Sequence, residues 1–352
     1  MKILVISLAG IGDTIFATPL IHELRVNFAQ AQVDALVLWK GSKDMLERNP
    51  HLTQLYQKNL IKAGKLEALQ FLMGVRKNRY DFSINTHPQS RIHYRFVARI
   101  IGAQTRISHR YDHSSVLDDL LVNRTIPQDY TRHAVENNLA LLPLLEASPR
   151  LGDHSYEIHL SEQELAWRDA FLSKHDLPGH KILGIHVGSG GTKNLALRRW
   201  PLASYEELIR RLNNAFPHLA ILLFGGPEEE KDHARLLKSN PSSVFQPKTE
   251  NFRQTAALVK KCDAFLSVDT ALMHVAAAMK VPRQVVIETP TWNKPIEPYN
   301  NKFILVRNPM VAGNNLNYYR YDGCGIRGTP EQLTRCMASV SVEEVFAALG
   351  PF

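Results

Sequence analysis

The sequence predicts an α/β protein built from two doubly wound domains facing a central cleft. Three observations predict it. Strand-like and helix-like patterns alternate in two separate series. Each series opens with an apolar run ending in a glycine-rich turn, Gly10-Ile11-Gly12 in the first and Gly188-Ser189-Gly190-Gly191 in the second. Between them, residues 147–180 carry Pro149, Gly152, Pro178 and Gly179, the strongest punctuation in the chain. The expected divisions are 1–160, 161–340 and a closing helix in 341–352. A length of 352 residues agrees with two domains of ordinary size.

In the first series Lys2–Leu8 reads as a buried strand. A helix follows from Pro19, with Leu20, Leu24 and Phe28 at helical spacing. Val33–Trp39 is a second strand and Asp81–Asn85 another. Residues 91–101 read as a basic helix and 133–146 as a leucine-rich one. Ser161 and Glu164 form a capping-box pair that starts a helix over Ser161–His175. In the second series Ile182–Val187 is a strand. Tyr205, Leu208, Ile209 and Leu212 mark the apolar face of a helix. Strands follow at Leu219–Phe224, 243–246, Ala264–Val268 and Val285–Ile287. Helices are expected at Glu228–Lys238, 252–261, 271–279 and 342–349.

Composition narrows the function. The chain is 44% hydrophobic and 22% charged, an ordinary globular balance. No run approaches the ~18 apolar residues that span a bilayer. Gly10, Gly12 and Asp13 cut short the apolar run at the N-terminus, so it reads as a strand and not as a secretion signal. Three cysteines fit a reducing, cytoplasmic compartment. Cys324 and Cys336 are near enough in sequence to pair, although two small buried side chains account for them equally. The formal charge of +8 points to an anionic partner. Arg76, Lys77, Arg79, Arg91, Arg95, Arg99, Arg106 and Arg110 stand against one acid, Asp81. They read as a solvated face that also makes a local positive field. Aromatic residues are 8% of the chain and do not cluster with these arginines, which argues against nucleic acid as the partner.

Four constellations carry chemistry. Gly10-Ile11-Gly12-Asp13 follows the first strand, where α/β domains bind ligands. A third glycine is missing, Asp13 would repel a pyrophosphate, and Trp39-Lys40 stands where a ribose-binding acid belongs, so dinucleotide binding is disfavoured. Asp13 fits either a general base or a helix cap. Ser189 and Gly190, with Arg198-Arg199-Trp200-Pro201 downstream, suit a phosphate: small residues let backbone amides approach, and arginine brings a fixed fork of donors. Asp269-Thr270-Ala271 with His274 sits at a strand-to-helix junction, where free amides favour an anion. Gly225-Gly226-Pro227 precedes Glu228, Glu229 and Glu230, acids that favour a helix start.

Together and in this order, these segments resemble the lipopolysaccharide heptosyltransferases, glycosyltransferase family nine. The resemblance rests on Gly12-Asp13 with Thr18-Pro19, on Arg198 before Trp200-Pro201, on Gly225-Gly226-Pro227-Glu228-Glu229, and on Asp269 to Ala277. It implies a GT-B fold of two Rossmann-like domains, with the acceptor held mainly by the first and the donor by the second. It implies inverting transfer from an ADP-sugar to an anionic glycolipid or glycan, with no cofactor and no essential metal. On that likeness Asp13 is the base, and Arg198, Ser189, Gly190 and the amides of Thr270 and Ala271 meet the donor phosphates. Asp269 and Glu229 meet sugar or ribose, and His274 is the motif histidine. Apart from the likeness, Gly12, Arg91 and Arg95 are expected to help hold the acceptor, the arginines because of their local charge excess. An acceptor of that kind places the enzyme in peripheral contact with the inner membrane face. Arg198 replaces the usual Lys and Ala271 the usual Gly, departures that bear on the donor sugar. A nucleotide-sugar epimerase and a non-catalytic nucleotide-sugar binder remain as alternatives.

Overall fold

The computed structural model describes residues 1–191, 194–240, 242–318 and 325–352. It divides into two units, Met1–His159 and Leu160–Phe352.

The first unit carries one parallel sheet of β1 (Lys2–Ser7), β2 (Gln32–Val37), β3 (Gln54–Gln57), β4 (Phe82–Asn85), β5 (Thr105–Arg110) and β6 (Arg124–Pro127). Their spatial order is β3-β2-β1-β4-β5-β6. β1 is central because five of its six residues are fully buried, the continuous apolar run that a strand covered on both faces requires. Val5 pairs with Ala35 on one side and Ile84 on the other. One face packs Leu4, Ile6 and Leu36 against Leu72 and Val75 of the helix Lys65–Arg76 and Ala98 and Ile101 of the helix Ile92–Ile101. The helix Thr18–Asn27 starts with Pro19 in its first turn and buries Leu20, Ile21 and Leu24.

The second unit repeats the plan with β7 (Lys181–His186), β8 (Leu219–Phe224), β9 (Val244–Phe245), β10 (Ala264–Ser267), β11 (Arg283–Ile287) and β12 (Phe303–Val306). All pair in parallel, in the order β12-β11-β10-β7-β8-β9. The helix Leu202–Ala215 buries Tyr205, Leu208, Ile209 and Leu212, the four residues that the spacing singles out. Trp200 lies edge-on to Tyr205 and donates its indole N–H to Val340 O at 3.0 Å. The closing helix Val342–Leu349 seats Val345 and Leu349 in this same core, so it is part of the second unit and not a separate segment.

Three differences from the sequence reading have physical causes. The leucine-rich stretch is a helix only over Ala134–Leu139, followed by a 3-10 turn, Leu142–Leu145. Pro143 brings no amide to an α-helix there. β5 reads Thr-Arg-Ile-Ser-His-Arg, with little to mark it as a strand. The basic helix buries one of its arginines. Cys324 lies outside the described residues; Cys262 and Cys336 are free and buried.

The helix Glu162–Lys174 opens on the expected capping box, and Glu164 accepts from the Ser161 amide at 2.6 Å. The same carboxylate takes two bonds from the buried Arg253, at 2.7 and 3.1 Å. Arg253, aided by Ser161 and opposed by burial, holds the Glu164 carboxyl down at about 2. Its stabilisation is therefore complete above the ordinary glutamate value and is lost as pH falls towards 2. Glu164→Gln should lower stability on the order of 1–3 kcal/mol near neutrality. Urea midpoints of the two proteins should draw together as pH falls from about 5 to about 2.

Candidate functional site

In each sheet the winding reverses beside the first strand, between β1 and β4 and between β7 and β10. That reversal opens a crevice at the carboxyl ends of the strands, where α/β domains take ligands. The motif residues lie at these two ends.

In the second unit β7 ends on His186, whose Nδ1 lies 3.0 Å from Thr270 Oγ1 just past β10. Burial, with His233, Arg199 and Arg198 adding to it, pushes the imidazole down to about 3, so it is neutral. Thr270 caps the helix Ala271–Ala278 by position, but its hydroxyl faces His186 and no side-chain cap closes the helix start. Ala271, the first helical residue, is half-buried; His274, one turn on, is buried.

Arg198 ends the 3-10 turn Leu195–Arg198. Its Nη1 donates to Asp269 Oδ2 at 2.9 Å and to Thr291 Oγ1 at 3.2 Å, and the Thr291 hydroxyl in turn donates to Asp269 Oδ2 at 3.2 Å. Burial pushes the Asp269 carboxyl above its ordinary range, opposed by Arg198 and Thr291. Asp269 thus fixes the Arg198 guanidinium at the end of β10.

The glycine loop is pinned from a third direction. Ser189 donates its hydroxyl to Leu195 O at 2.8 Å, and its carbonyl accepts from Arg199 at 3.0 Å. Arg199 also donates to Glu229 Oε1 at 2.7 Å, while Glu229 Oε2 accepts from the Gly226 amide at 2.9 Å. Each carboxylate oxygen keeps capacity for one more donor, so a ribose hydroxyl remains compatible with Glu229. The Glu229 carboxylate fills the space that a Cβ on residue 188 would need, so this position requires glycine. Gly190 is exposed with open space beside it.

The structure joins Arg198, Asp269 and Thr291 in one cluster, pairs Thr270 with His186, and joins Ser189 to Glu229 through Arg199. Sequence reading missed His186 and Thr291. A histidine ending the first strand of the series, and hydroxyls just after β11, were the available signals.

In the first unit Asp13 stands in the one-turn helix Ile11–Ile15 and accepts from the Gly10 amide at 2.7 Å. Gly10, not Asp13, is the N-cap, and both Gly12 and Asp13 are half-buried. Burial raises the Tyr94 phenol; the nearby Arg91 opposes this and the Asp13 charge adds to it. Tyr94 thus senses both candidates, Arg91 at the start of the helix Ile92–Ile101 and Asp13 at the end of β1.

Arg95 is corrected by the structure. It is 1% exposed and pairs with Asp118 Oδ1 at 2.6 Å. It also donates to His109 O at 2.8 Å and lies over the Tyr111 ring. Its guanidinium is occupied inside the unit, which removes it from an acceptor-facing field.

Residues 68–320 match the family described as Glycosyltransferase family 9 (heptosyltransferase). Lipopolysaccharide heptosyltransferase 3 of Escherichia coli (strain K12) is 25% identical over 280 residues, covering 77% of this chain and 78% of that protein. The solved family 9 glycosyltransferase of Veillonella parvula DSM 2008 superposes with a TM-score of 0.77 at 20% identity, over 99% of this chain and 95% of that one. The E. coli ADP-heptose lipopolysaccharide heptosyltransferase II gives 0.73 at 19% identity, over 99% and 97%. These superpositions establish the GT-B fold.

Arg95→Ala should strand a buried carboxylate and cost about 3–5 kcal/mol. Arg91→Ala, at a half-exposed position, should stay within about 0.5 kcal/mol of wild type. Urea denaturation of both variants checks the contrast.

Proposed function

The chain belongs to glycosyltransferase family 9, the heptosyltransferases, and from that premise we propose that it moves a heptose from ADP-heptose to the anionic core of a lipopolysaccharide acceptor. The observation that carries the reading is the end of β10: an uncapped helix start beside an arginine that a buried aspartate holds in place. A nucleotide diphosphate fits that chemistry, since helix-start amides and a fixed guanidinium both favour phosphate oxygens. A relative of the same fold is described as an ADP-heptose enzyme, which supports adenosine diphosphate as the leaving group.

In the proposed reaction the acceptor hydroxyl attacks the anomeric carbon and gives its proton to Asp13. The bond from that carbon to the diphosphate breaks, and its electron pair leaves with the β-phosphate. Attack from the opposite face inverts the centre. Arg198, the amides at Ser189 and Gly190, and those of Thr270 and Ala271 take up the developing charge. Asp269 orients Arg198. Glu229 and Arg199 hold the loop, with Glu229 offering acceptor capacity to the ribose, and His274 supports the helix start from one turn within. Gly12 leaves room beside the base, and Arg91 attracts the anionic acceptor.

The acceptor reading extends to the membrane. The helix Ile92–Ile101 packs between Lys65–Arg76 and Val116–Leu121. Their outer surfaces expose Leu66, Leu69, Met73, Phe96, Val116 and Leu120. Lys62, Lys65, Lys77 and Arg99 are exposed among them. Apolar side chains flanked by lysine and arginine suit the surface of an anionic leaflet. No helix among the described residues is long and apolar enough to cross a membrane. The proposed location is the cytoplasm, in peripheral contact with the inner face.

Two measurements test these assignments. Asp13→Asn preserves size and the bond from Gly10 but removes the basic site. Its kcat should fall by about 10²–10⁴ with ADP affinity and Tm unchanged. Near-normal turnover would return Asp13 to a purely structural role. Leu66→Ser with Leu120→Ser should weaken binding to phosphatidylglycerol vesicles by roughly tenfold or more while leaving ADP affinity intact.

A further inference from the structure

We propose that His22, His51 and Glu157 form a binding site for a divalent transition ion of the zinc class, with His159 orienting the carboxylate. The site lies within the first unit, apart from Asp13, and has no part in the transfer proposed above.

The geometry is that of a nearly assembled ligand set. One ligand atom from each of His22, His51 and Glu157 lies within 4.8 Å of the other two. His22 Nδ1 is 2.6 Å from Glu157 Oε1, and His51 Nε2 is 3.3 Å from Oε2. His159 Nε2 meets Oε2 at 3.1 Å. Two imidazoles and a carboxylate are a frequent donor set for zinc with one position left open, and the third imidazole stands where an outer partner fixes a ligand. An ion with bonds of about 2.0–2.2 Å wants tetrahedral ligands about 3.3 Å apart. Closing from 4.8 Å needs only side-chain rotation of groups that are 16–27% exposed.

The backbone beneath the ligands is already held. His22 sits within the helix Thr18–Asn27. One turn earlier, Thr18 Oγ1 accepts from the Glu157 amide at 3.0 Å. From the same helix Arg25 donates twice to His51 O, at 3.2 and 3.1 Å, and Asn49 Oδ1 accepts from the His51 amide at 2.9 Å. One helix thus carries the first ligand and fixes the chain at the other two.

The two ligand rings are already side by side: His22 and His51 stack with centroids 3.7 Å apart and planes 13° apart. A bound ion would clip the stretch around Glu157 and His159, which leaves the first unit, onto the helix and turn beneath it.

The test uses the full chain, free of any tag and stripped with chelator. Cobalt(II) should bring up tetrahedral d–d absorption at one equivalent per chain. Zinc in excess should raise Tm by roughly 5 °C. His22→Gln and His51→Gln should each abolish both signals while keeping the wild-type far-UV spectrum and urea midpoint in chelator. Glu157→Gln, which keeps hydrogen-bonding capacity, should weaken cobalt binding at least tenfold. Absence of both signals in the wild type overturns the proposal and leaves a hydrogen-bonded clasp. Binding undiminished in the variants overturns it too, by placing the ion among others of the fifteen histidines.

Discussion

A crossover between parallel strands is right-handed, so a chain that adds β2 and β3 on one side of β1 and β4 to β6 on the other must lay its helices on opposite faces. The two windings part beside β1, and again beside β7. The loops that leave the strand ends there are the ones that meet a ligand in such folds. Asp13, the 188–191 loop and Asp269–Thr270 stand where they do because of this constraint. The strands Ile3–Ile6 and Ile182–Ile185, buried on both faces, anchor it at the centre of each sheet.

Buried charge in both units follows one rule, that each ionised group is answered by nearby donors or an opposite charge. Glu23, fully buried, accepts from the Arg150 and Leu151 amides and from His154. Arg95 has Asp118, and Arg253 has Glu164. At the end of β10 the same rule shapes chemistry. Arg198 is already balanced by Asp269, so the local field favouring a diphosphate comes largely from oriented amides and only partly from net charge. Such a site holds its donors in place before a ligand arrives, which removes reorganisation from the binding step.

Much of the fold could be read in the sequence because the central strands are buried on both faces and so appear as unbroken apolar runs. Leu219–Phe224 was legible for that reason, and the helix of Tyr205 to Leu212 because its one buried face repeats at helical spacing. β5 was not: Arg106 and Arg110 interrupt it, and only the hydrogen bonds to β4 and β6 make it a strand. The site motifs were legible as segments, because glycines and a helix start have local signatures. Their connections were not. His186 meets Thr270 across 84 residues and Arg198 meets Thr291 across 93. Such contacts have no spacing that a linear pattern could reveal. Arg95 misled for a related reason: its partner, Asp118, lies beyond the arginine-rich stretch and arrives only when β5 turns back.

The neutral His186 has a consequence for how this protein should respond to acidity. Its value of about 3 keeps the ring uncharged at any ordinary working pH, so the hydrogen bond to Thr270 persists unchanged. A bell-shaped rate profile measured on this enzyme would thus owe no limb to that histidine. What acid does erode is folding. The unfolded ring takes a proton near pH 6.5 and the folded one does not, so the native state loses ground steadily as pH drops from there towards 3.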